Sequence, residues 1–343
     1  MPYQRAQFCQ VGSLAVGNRL LAPKDRTVQA SPERASSLAP GHRGCRGCGE
    51  ALAARYVLDA AMAATGGQVV VVNATGCLEA FSAFYPGTSW RLPWLHSLFG
   101  NAPAVASGVA AALKATGRLD VRVVAQGGDG STGDTGFGAL SGLFERNDDV
   151  LVVCYDNQAY MSTGAQRLAP SPSVVGSAST EAASPETANA FGQGKNIPAI
   201  AIAHGIPYVA TASVAYVHDL EHKVARAMSF RGARYLHILA PCPLGWKSAT
   251  KDTVRLARLA VESGLFVLLE AEDGEVVATT PLRHRVPVNE YLRLQGRYDH
   301  LFTGPGRRDI VARIQKIADD NVARYGLGQD NGKVFRNNPP SRF

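Results

Sequence analysis

Short, largely apolar runs punctuate this chain, closed by glycine, proline or small polar residues. Residues 68–73 (Gln-Val-Val-Val-Val-Asn), 121–126, 150–155 and 235–240 are too short for helices and rich in Val, Leu and Ile, so they read as strands buried on both faces. Between them lie segments of helical character: Glu50–Ala64, Pro103–Gly117, Phe137–Arg146 and Ser213–Phe230. The second has Pro near its first turn and Gly just past its end. Its small residues Ala104, Ala106, Ser107, Gly108, Ala110 and Ala111 allow close packing on a sheet. Strands alternating with helices predict an α/β fold, with a mainly parallel sheet flanked by helices on both faces.

Three regions follow from this pattern. Residues 1–40 read as an N-terminal extension broken by Pro and Ser, 41–301 as the α/β domain, and 302–343 as a C-terminal helix and tail; the two ends are expected to form extended arms. The Pro/Ser/Ala/Thr-rich stretch 168–195 interrupts the rhythm and reads as an inserted surface loop or flap. No internal repeat is evident.

Composition narrows the function classes. Of 343 residues 46% are apolar and 18% charged, a globular profile, and no stretch approaches the 18 apolar residues of a membrane span. The net charge of +7 invites a nucleic-acid reading, but the excess sits at the ends: Arg5, Arg19, Lys24, Arg26, Arg34 and Arg43 early, Lys333, Arg336 and Arg342 late. Basic termini on an ordinary body do not make a readout groove. No apolar signal segment opens the chain, so a cytoplasmic protein is expected.

The chemistry concentrates at two strand ends. Gly128-Asp129-Gly130 closes one predicted strand and Asp156-Asn157 closes the next. Parallel strands ending side by side would bring a carboxylate and an amide oxygen to one point, where a glycine turn leaves backbone N–H groups free for a phosphate. That pattern is a magnesium–diphosphate site.

Six cysteines occur. Cys154 lies mid-strand among Val residues and reads as a buried inert thiol; Cys9, in the extension, has no assignable role. Cys45 and Cys48 form a C-x-x-C within Gly44-Cys-Arg-Gly-Cys-Gly49, while Cys77 and Cys242 each follow a strand. Four thiolates on turns suit either a four-cysteine zinc site or a [4Fe–4S] cluster. Disulfides do not suit a chain without a secretion signal.

The residues then resemble a known family, the β subunits of pyruvate:ferredoxin oxidoreductase and related CoA-acylating 2-oxoacid oxidoreductases. The matching blocks are 41–50, 72–77, 90–96, 127–130, 154–161, 204–212, 239–243 and 291–297, spread from about Gly41 to about Leu301. The resemblance implies a thiamine diphosphate-binding fold. It implies that Cys45, Cys48, Cys77 and Cys242 ligate a [4Fe–4S] cluster, and that Asp129, Asn157 and the Ala159 carbonyl bind the Mg²⁺ of thiamine diphosphate. Gly128, Gly130 and Ser131 would line the diphosphate. Glu50 has two readings, a cofactor-facing catalytic acid or a carboxylate favoured by a helix N-terminus. The implied partners are α/γ-type subunits completing the thiamine site and a ferredoxin-like δ subunit with further clusters, in a dimer of heteromers acting on a 2-oxoacid and coenzyme A. This chain alone should be inactive.

One departure bears on substrate. Relatives acting on pyruvate typically carry Asn-Thr-Gly after the Tyr-Met, and this chain has Ser162-Thr163-Gly164. A serine is shorter and lacks the amide's paired donors. Ser162 thus marks either a roomier pocket for an aryl or branched 2-oxoacid such as phenylglyoxylate, or neutral drift. Trp90 and Trp94 read as packing residues, His96 as a hydrogen-bonded core or interface histidine, and His204 and His237 as edge residues without ligand spacing. The competing functions are a non-oxidative thiamine enzyme subunit, which has no need of four cysteines, and a zinc-stapled structural subunit.

Overall fold

The computed structural model describes residues 27–31, 34–84, 87–161, 195–303 and 308–328. In chain order the elements are α1 (Gly49–Thr65), β1 (Val69–Ala74), α2 (Cys77–Ser82), a small hairpin of β2 (Ala83–Phe84) and β3 (Gly87–Thr88), β4 (Trp94–Ser97), α3 (Ala102–Ala115) and β5 (Arg122–Gly128). A π-helical turn, Ser131–Thr135, then leads into α4 (Phe137–Glu145), β6 (Val150–Asp156), α5 (Ile197–Ala203), β7 (Tyr208–Ser213), α6 (Val217–Ser229) and β8 (Arg234–Leu239). The chain continues through α7 (Pro243–Trp246), α8 (Thr253–Glu262), β9 (Leu269–Glu272), β10 (Glu275–Thr279), α9 (Val288–Leu292) and α10 (Arg308–Tyr325).

One sheet organises these elements, in the order β10-β9-β7-β8-β6-β5-β1-β4. The six strands from β7 to β4 are parallel, and β9 and β10 extend the β7 edge in antiparallel fashion. The apolar runs are explained by two cores, one on each face. Along β6, Leu151, Val153 and Tyr155 enter the core shared with α1 and α6, while Val150, Val152 and Cys154 enter the core shared with α3, α4 and α5. Each fully buried Val or Leu stabilises the sheet by about 1.5–3 kcal/mol relative to exposure. Cys154 is one of these packing residues.

The strands foreseen from the apolar runs fall within a residue or two of the observed ones. The helix expected from Ser213 begins only at Val217, because Tyr208–Ser213 is a strand. Its Ala and Thr content is weakly strand-like, and its complete burial comes from neighbours on both sides. Leu269–Glu272 is likewise half acidic and gave no apolar signal. Helix α1 stops at Gly66, whose left-handed φ of 60° lets its N–H cap the Met62 carbonyl.

The end of the N-terminal extension is docked rather than free. Buried Asp59 of α1 accepts from Ser37 N–H (2.7 Å), Ser37 Oγ (2.6 Å) and Gln29 Nε2 (3.2 Å), and Glu221 of α6 accepts from the Val28 and Gln29 amides. A third core joins α8, α9 and α10 beside the C-terminal ends of the sheet. Among the described residues no helix is long and apolar enough to cross a membrane.

Candidate active site

Register sets the site. Gly128 of β5 pairs with Tyr155 of β6, so both strands end together at the edge where Asp129 and Asp156–Asn157 emerge. Asp129 and Asn157 are 2% and 5% exposed. Asp129 accepts the Gly130 N–H at 3.0 Å and the Gln158 N–H at 2.7 Å, which fixes the carboxylate. Asn157 Oδ1 accepts the Ala159 N–H at 3.3 Å, and Ser131 closes the glycine turn by donating its hydroxyl to the Gly128 carbonyl at 2.9 Å. The expected group is therefore brought together, except Ser162, which lies outside the described residues, as does 162–194 of the loop region. A side chain at Gly130 would sit 2.5 Å from the Tyr160 ring, so the turn needs glycine there for close approach.

Burial and the neighbouring Asp156 push the Asp129 carboxyl well above the ordinary carboxylate range. Burial also acts on Asp156, but His237 Nε2 at 3.1 Å and the hydrogen bond with Asp129 hold Asp156 below that range. Two carboxylates thus face one another in a buried setting, which favours a positive charge at Asp129. A hard divalent cation with oxygen ligands supplies that charge, so the residues present fit Mg²⁺.

The thiols gather beside this loop. Cys48 is the N-cap of α1 and accepts the Ala51 N–H at 3.4 Å; Cys242 is the N-cap of α7 and accepts the Gly245 N–H at 3.4 Å; Cys77 opens α2. Three of the four therefore sit at helix N-termini, where amide N–H groups favour an anion. Gly49 N–H donates to the Pro241 carbonyl at 3.1 Å, and a Cβ on Gly49 would lie 2.6 Å from that oxygen, so glycine lets the Cys48 and Cys242 loops meet. Burial raises the Cys48 thiol to about 12 and raises Cys77 and Cys242 as well, with Glu50 adding to each shift. Cys77 is close enough to Cys242, Cys48 and Cys45 to feel all three; Cys45 itself is exposed. Among the described residues no three His, Cys, Asp or Glu side chains are disposed to hold a single metal ion.

Glu50 joins the two halves. It sits in the first turn of α1, 4% exposed, and accepts from Asn157 Nδ2 at 3.3 Å. The helix N-terminal reading of Glu50 matches its first-turn position, and the same side chain also meets Asn157. Burial raises its carboxyl to about 7, partly countered by bonds from Asn157 and the Leu78 amide. A raised acid destabilises the fold as pH rises from its ordinary 4.5 through about 7, because the folded chain binds the extra proton. Glu50→Gln is expected to raise the melting temperature of the cofactor-free chain at pH 8 by several degrees, on the order of 3 kcal/mol, and to leave it unchanged at pH 4. Parallel melting curves at the two pH values check this; equal shifts at both would refute it.

Against known proteins, residues 74–238 match the family model "Thiamine pyrophosphate enzyme, C-terminal TPP binding domain". The chain is 48% identical to the pyruvate synthase subunit PorB of Methanosarcina barkeri over 288 residues, covering 84% of this chain and 96% of that protein. It belongs to the β subunits of the 2-oxoacid:ferredoxin oxidoreductase family. The PorB of Methanothermobacter thermautotrophicus is also 48% identical (82% and 94% covered), and the ketoisovalerate oxidoreductase subunit VorB of Pyrococcus abyssi is 38% identical (76% and 85%). A solved chain of the 2-oxoglutarate:ferredoxin oxidoreductase from Magnetococcus marinus shares the fold, with a TM-score of 0.53 at 21% identity, covering 90% of this chain and 94% of that one. The 2-oxoacid:ferredoxin oxidoreductase β subunit is therefore an oxidoreductase component that acts with partner subunits, and its central segment is a thiamine diphosphate-binding domain.

Several residues of this β subunit escaped sequence reasoning. His237 is not an edge residue: it lies within β8, 6% exposed, between Tyr235 Oη (2.9 Å) and Asp156. Trp246 and Arg297 hold the loop after β6. Their contacts span 89 and 139 positions, so although Arg297 ends the 291–297 block, no local pattern reveals its partner or that of Trp246. His96 is exposed and pairs with Thr75 Oγ1 at 3.1 Å, while Trp90 packs in the core as expected. A cavity of about 260 Å³ is lined by Asp156 and His237 and walled by Phe266, Leu269, Tyr291, Ile314 and Ile317; it takes in Gln158 of the loop after β6 but not Asp129 or Asn157.

Proposed function

We propose that this chain binds Mg²⁺–thiamine diphosphate and one [4Fe–4S] cluster, and that its complex oxidatively decarboxylates a 2-oxoacid to an acyl-CoA. The observation that carries the reading is Asn157. Its side chain touches Glu50, two residues after Cys48, and its carbonyl accepts from Trp246, four residues after Cys242. The metal–diphosphate loop and the cysteine loops are built on the same short elements.

Asp129, Asn157 and the Ala159 carbonyl would hold Mg²⁺, with Gly128, Gly130 and Ser131 along the diphosphate. Thiamine diphosphate supplies a carbanion equivalent and then an electron sink. Cys45, Cys48, Cys77 and Cys242 would hold the cluster. The cluster would supply one-electron transfer beside the thiamine site, a role that redox-inert zinc does not fill. In the reaction the bond to the carboxylate carbon breaks, releasing CO₂. Overall, the 2-oxoacid and coenzyme A would give the acyl thioester, CO₂, the thiol proton and two electrons, and the cluster would supply one-electron transfer to ferredoxin or another acceptor. The α/γ-type subunits would complete the thiamine pocket and a ferredoxin-like δ subunit would carry electrons onward, in a dimer of heteromers in the cytoplasm. Residues 41–301 would form the working domain.

Pyruvate is the substrate favoured by the relatives named pyruvate synthase. A bulkier aryl or branched 2-oxoacid is the second reading, on the strength of Ser162-Thr163-Gly164. Turnover of the purified complex on pyruvate and phenylglyoxylate with CoA and a ferredoxin is expected to favour pyruvate. A clear preference for phenylglyoxylate would transfer the assignment to the second reading. No CoA-dependent turnover on any 2-oxoacid would refute both.

A further inference from the structure

The loop carrying Asn157 and Ala159 is gripped by a buried polar cluster that does not include Asp129. Trp246, fully buried, donates its indole N–H to the Asn157 carbonyl at 2.8 Å. Arg297, 4% exposed, lays its guanidinium over the Trp246 ring, 4.0 Å from the centroid. It donates Nη2–H to Gln158 Oε1 at 2.6 Å and Nε–H to Gln295 Oε1 at 2.9 Å. Buried Gln295 is held in turn by its bond to the Tyr291 carbonyl. Among the described residues no carboxylate pairs with Arg297, and its Nη1 meets no hydrogen-bond partner. A guanidinium buried without a counter-ion weakens a fold, so packing alone does not account for it.

Gln158 shows what the charge does. It stands between Asn157 and Ala159 with a left-handed φ of 65°, a conformation that strains a non-glycine residue. Three anchors hold it there: its N–H is accepted by Asp129 Oδ2 at 2.7 Å and Asp156 Oδ1 at 3.0 Å, and its side-chain oxygen accepts from Arg297. The turn at Gln158 decides where the flanking Asn157 side chain and Ala159 carbonyl point. Trp246 also ends the short helix that Cys242 begins, so the same grip fixes the spacing between a cysteine loop and the metal loop.

The geometry points to Trp246 and Arg297 as positioning residues for the Mg²⁺–diphosphate loop, acting through the Asn157 carbonyl and the Gln158 amide. This rests on the metal role proposed above for Asn157 and Ala159. Arg297 closes the 291–297 block of the family resemblance without a role attached to it there, and neither residue is a metal ligand.

The test uses the intact complex carrying Trp246→Phe, Arg297→Lys or Gln158→Met in this chain. Mg²⁺ is titrated calorimetrically in the presence of thiamine diphosphate, alongside iron content and melting temperature. Each variant is expected to bind Mg²⁺ about 10- to 100-fold more weakly, the range typical of groups that orient ligands. The KM for Mg²⁺ should rise while kcat at saturating Mg²⁺ stays within about threefold, with iron content unchanged. Gln158→Met and Arg297→Lys remove one bond from its two ends, so the double variant should be no weaker than the worse single one. Affinity within about threefold of wild type in all three variants overturns the inference. So does a loss of affinity that only tracks lost iron and a lower melting temperature, the sign of general damage. If the wild-type complex itself fails to bind thiamine diphosphate with Mg²⁺, the underlying reading falls instead.

Discussion

Cys48→Ser is expected to abolish oxidative turnover of the complex, by about 10³-fold or more, while the fold and thiamine diphosphate binding persist. Cys48 does two jobs, capping α1 through the Ala51 N–H and presenting its sulfur to Cys77 and Cys242. Alanine would remove both, including roughly 1 kcal/mol of capping. Serine is a strong N-cap residue, so it keeps the helix start and removes only the soft thiolate that iron prefers. The buried thiol is pushed up to about 12, so it gives up its proton only when a metal takes its place. The loss should therefore appear as missing iron with a normal melting curve. Full iron content and normal turnover in Cys48→Ser would refute the ligand assignment.

Asp129→Asn should produce an opposite pattern on stability and activity. The asparagine fits the same space but presents an NH₂ where the carboxylate accepted a second backbone N–H, from Gly130 or Gln158. It also removes the charge that a divalent cation would meet. Losing a buried charge partner costs about 3–5 kcal/mol, so activity at physiological Mg²⁺ should fall about 10³-fold, with a steeply raised Mg²⁺ requirement. The cofactor-free chain, however, is relieved of a buried acid beside Asp156. Its melting temperature should hold or rise, the signature of a residue placed for function at the expense of stability. Thermal melts and Mg²⁺-dependent rates on one preparation check both halves; a variant that melts well below wild type while keeping its activity would contradict this role for Asp129.

The sheet was legible because both of its faces are covered, which favours short runs rich in Val, Leu and Ile at β1, β5, β6 and β8. β10 stayed hidden because it is a partly exposed edge strand, and β9 because its buried Glu270 is satisfied by Tyr208 Oη and Arg226 instead of by apolar packing. The Gly128–Gly130 turn with Asp156–Asn157, and the C-x-x-C, were legible because their patterns are local: small and polar residues at strand ends, two sulfurs on one turn. The partners of that chemistry are not local. Asp156 meets His237 across a strand pair, and Arg297 reaches Gln158 from beyond α9, contacts that only the folded chain creates. Glu50 resisted a single reading from sequence because its helix position and its bond to Asn157 coincide in space.

At the centre of the proposed function, the metal–diphosphate loop and an iron–sulfur cluster share one chain through Asn157. Metal and sulfide analysis of this chain, prepared without its partners under anaerobic conditions, tests that most directly. The expected result is a brown protein with about four irons and four acid-labile sulfides per chain, bleached by dithionite. A colourless protein holding one zinc per chain, or no metal while still binding Mg²⁺–thiamine diphosphate, would contradict it.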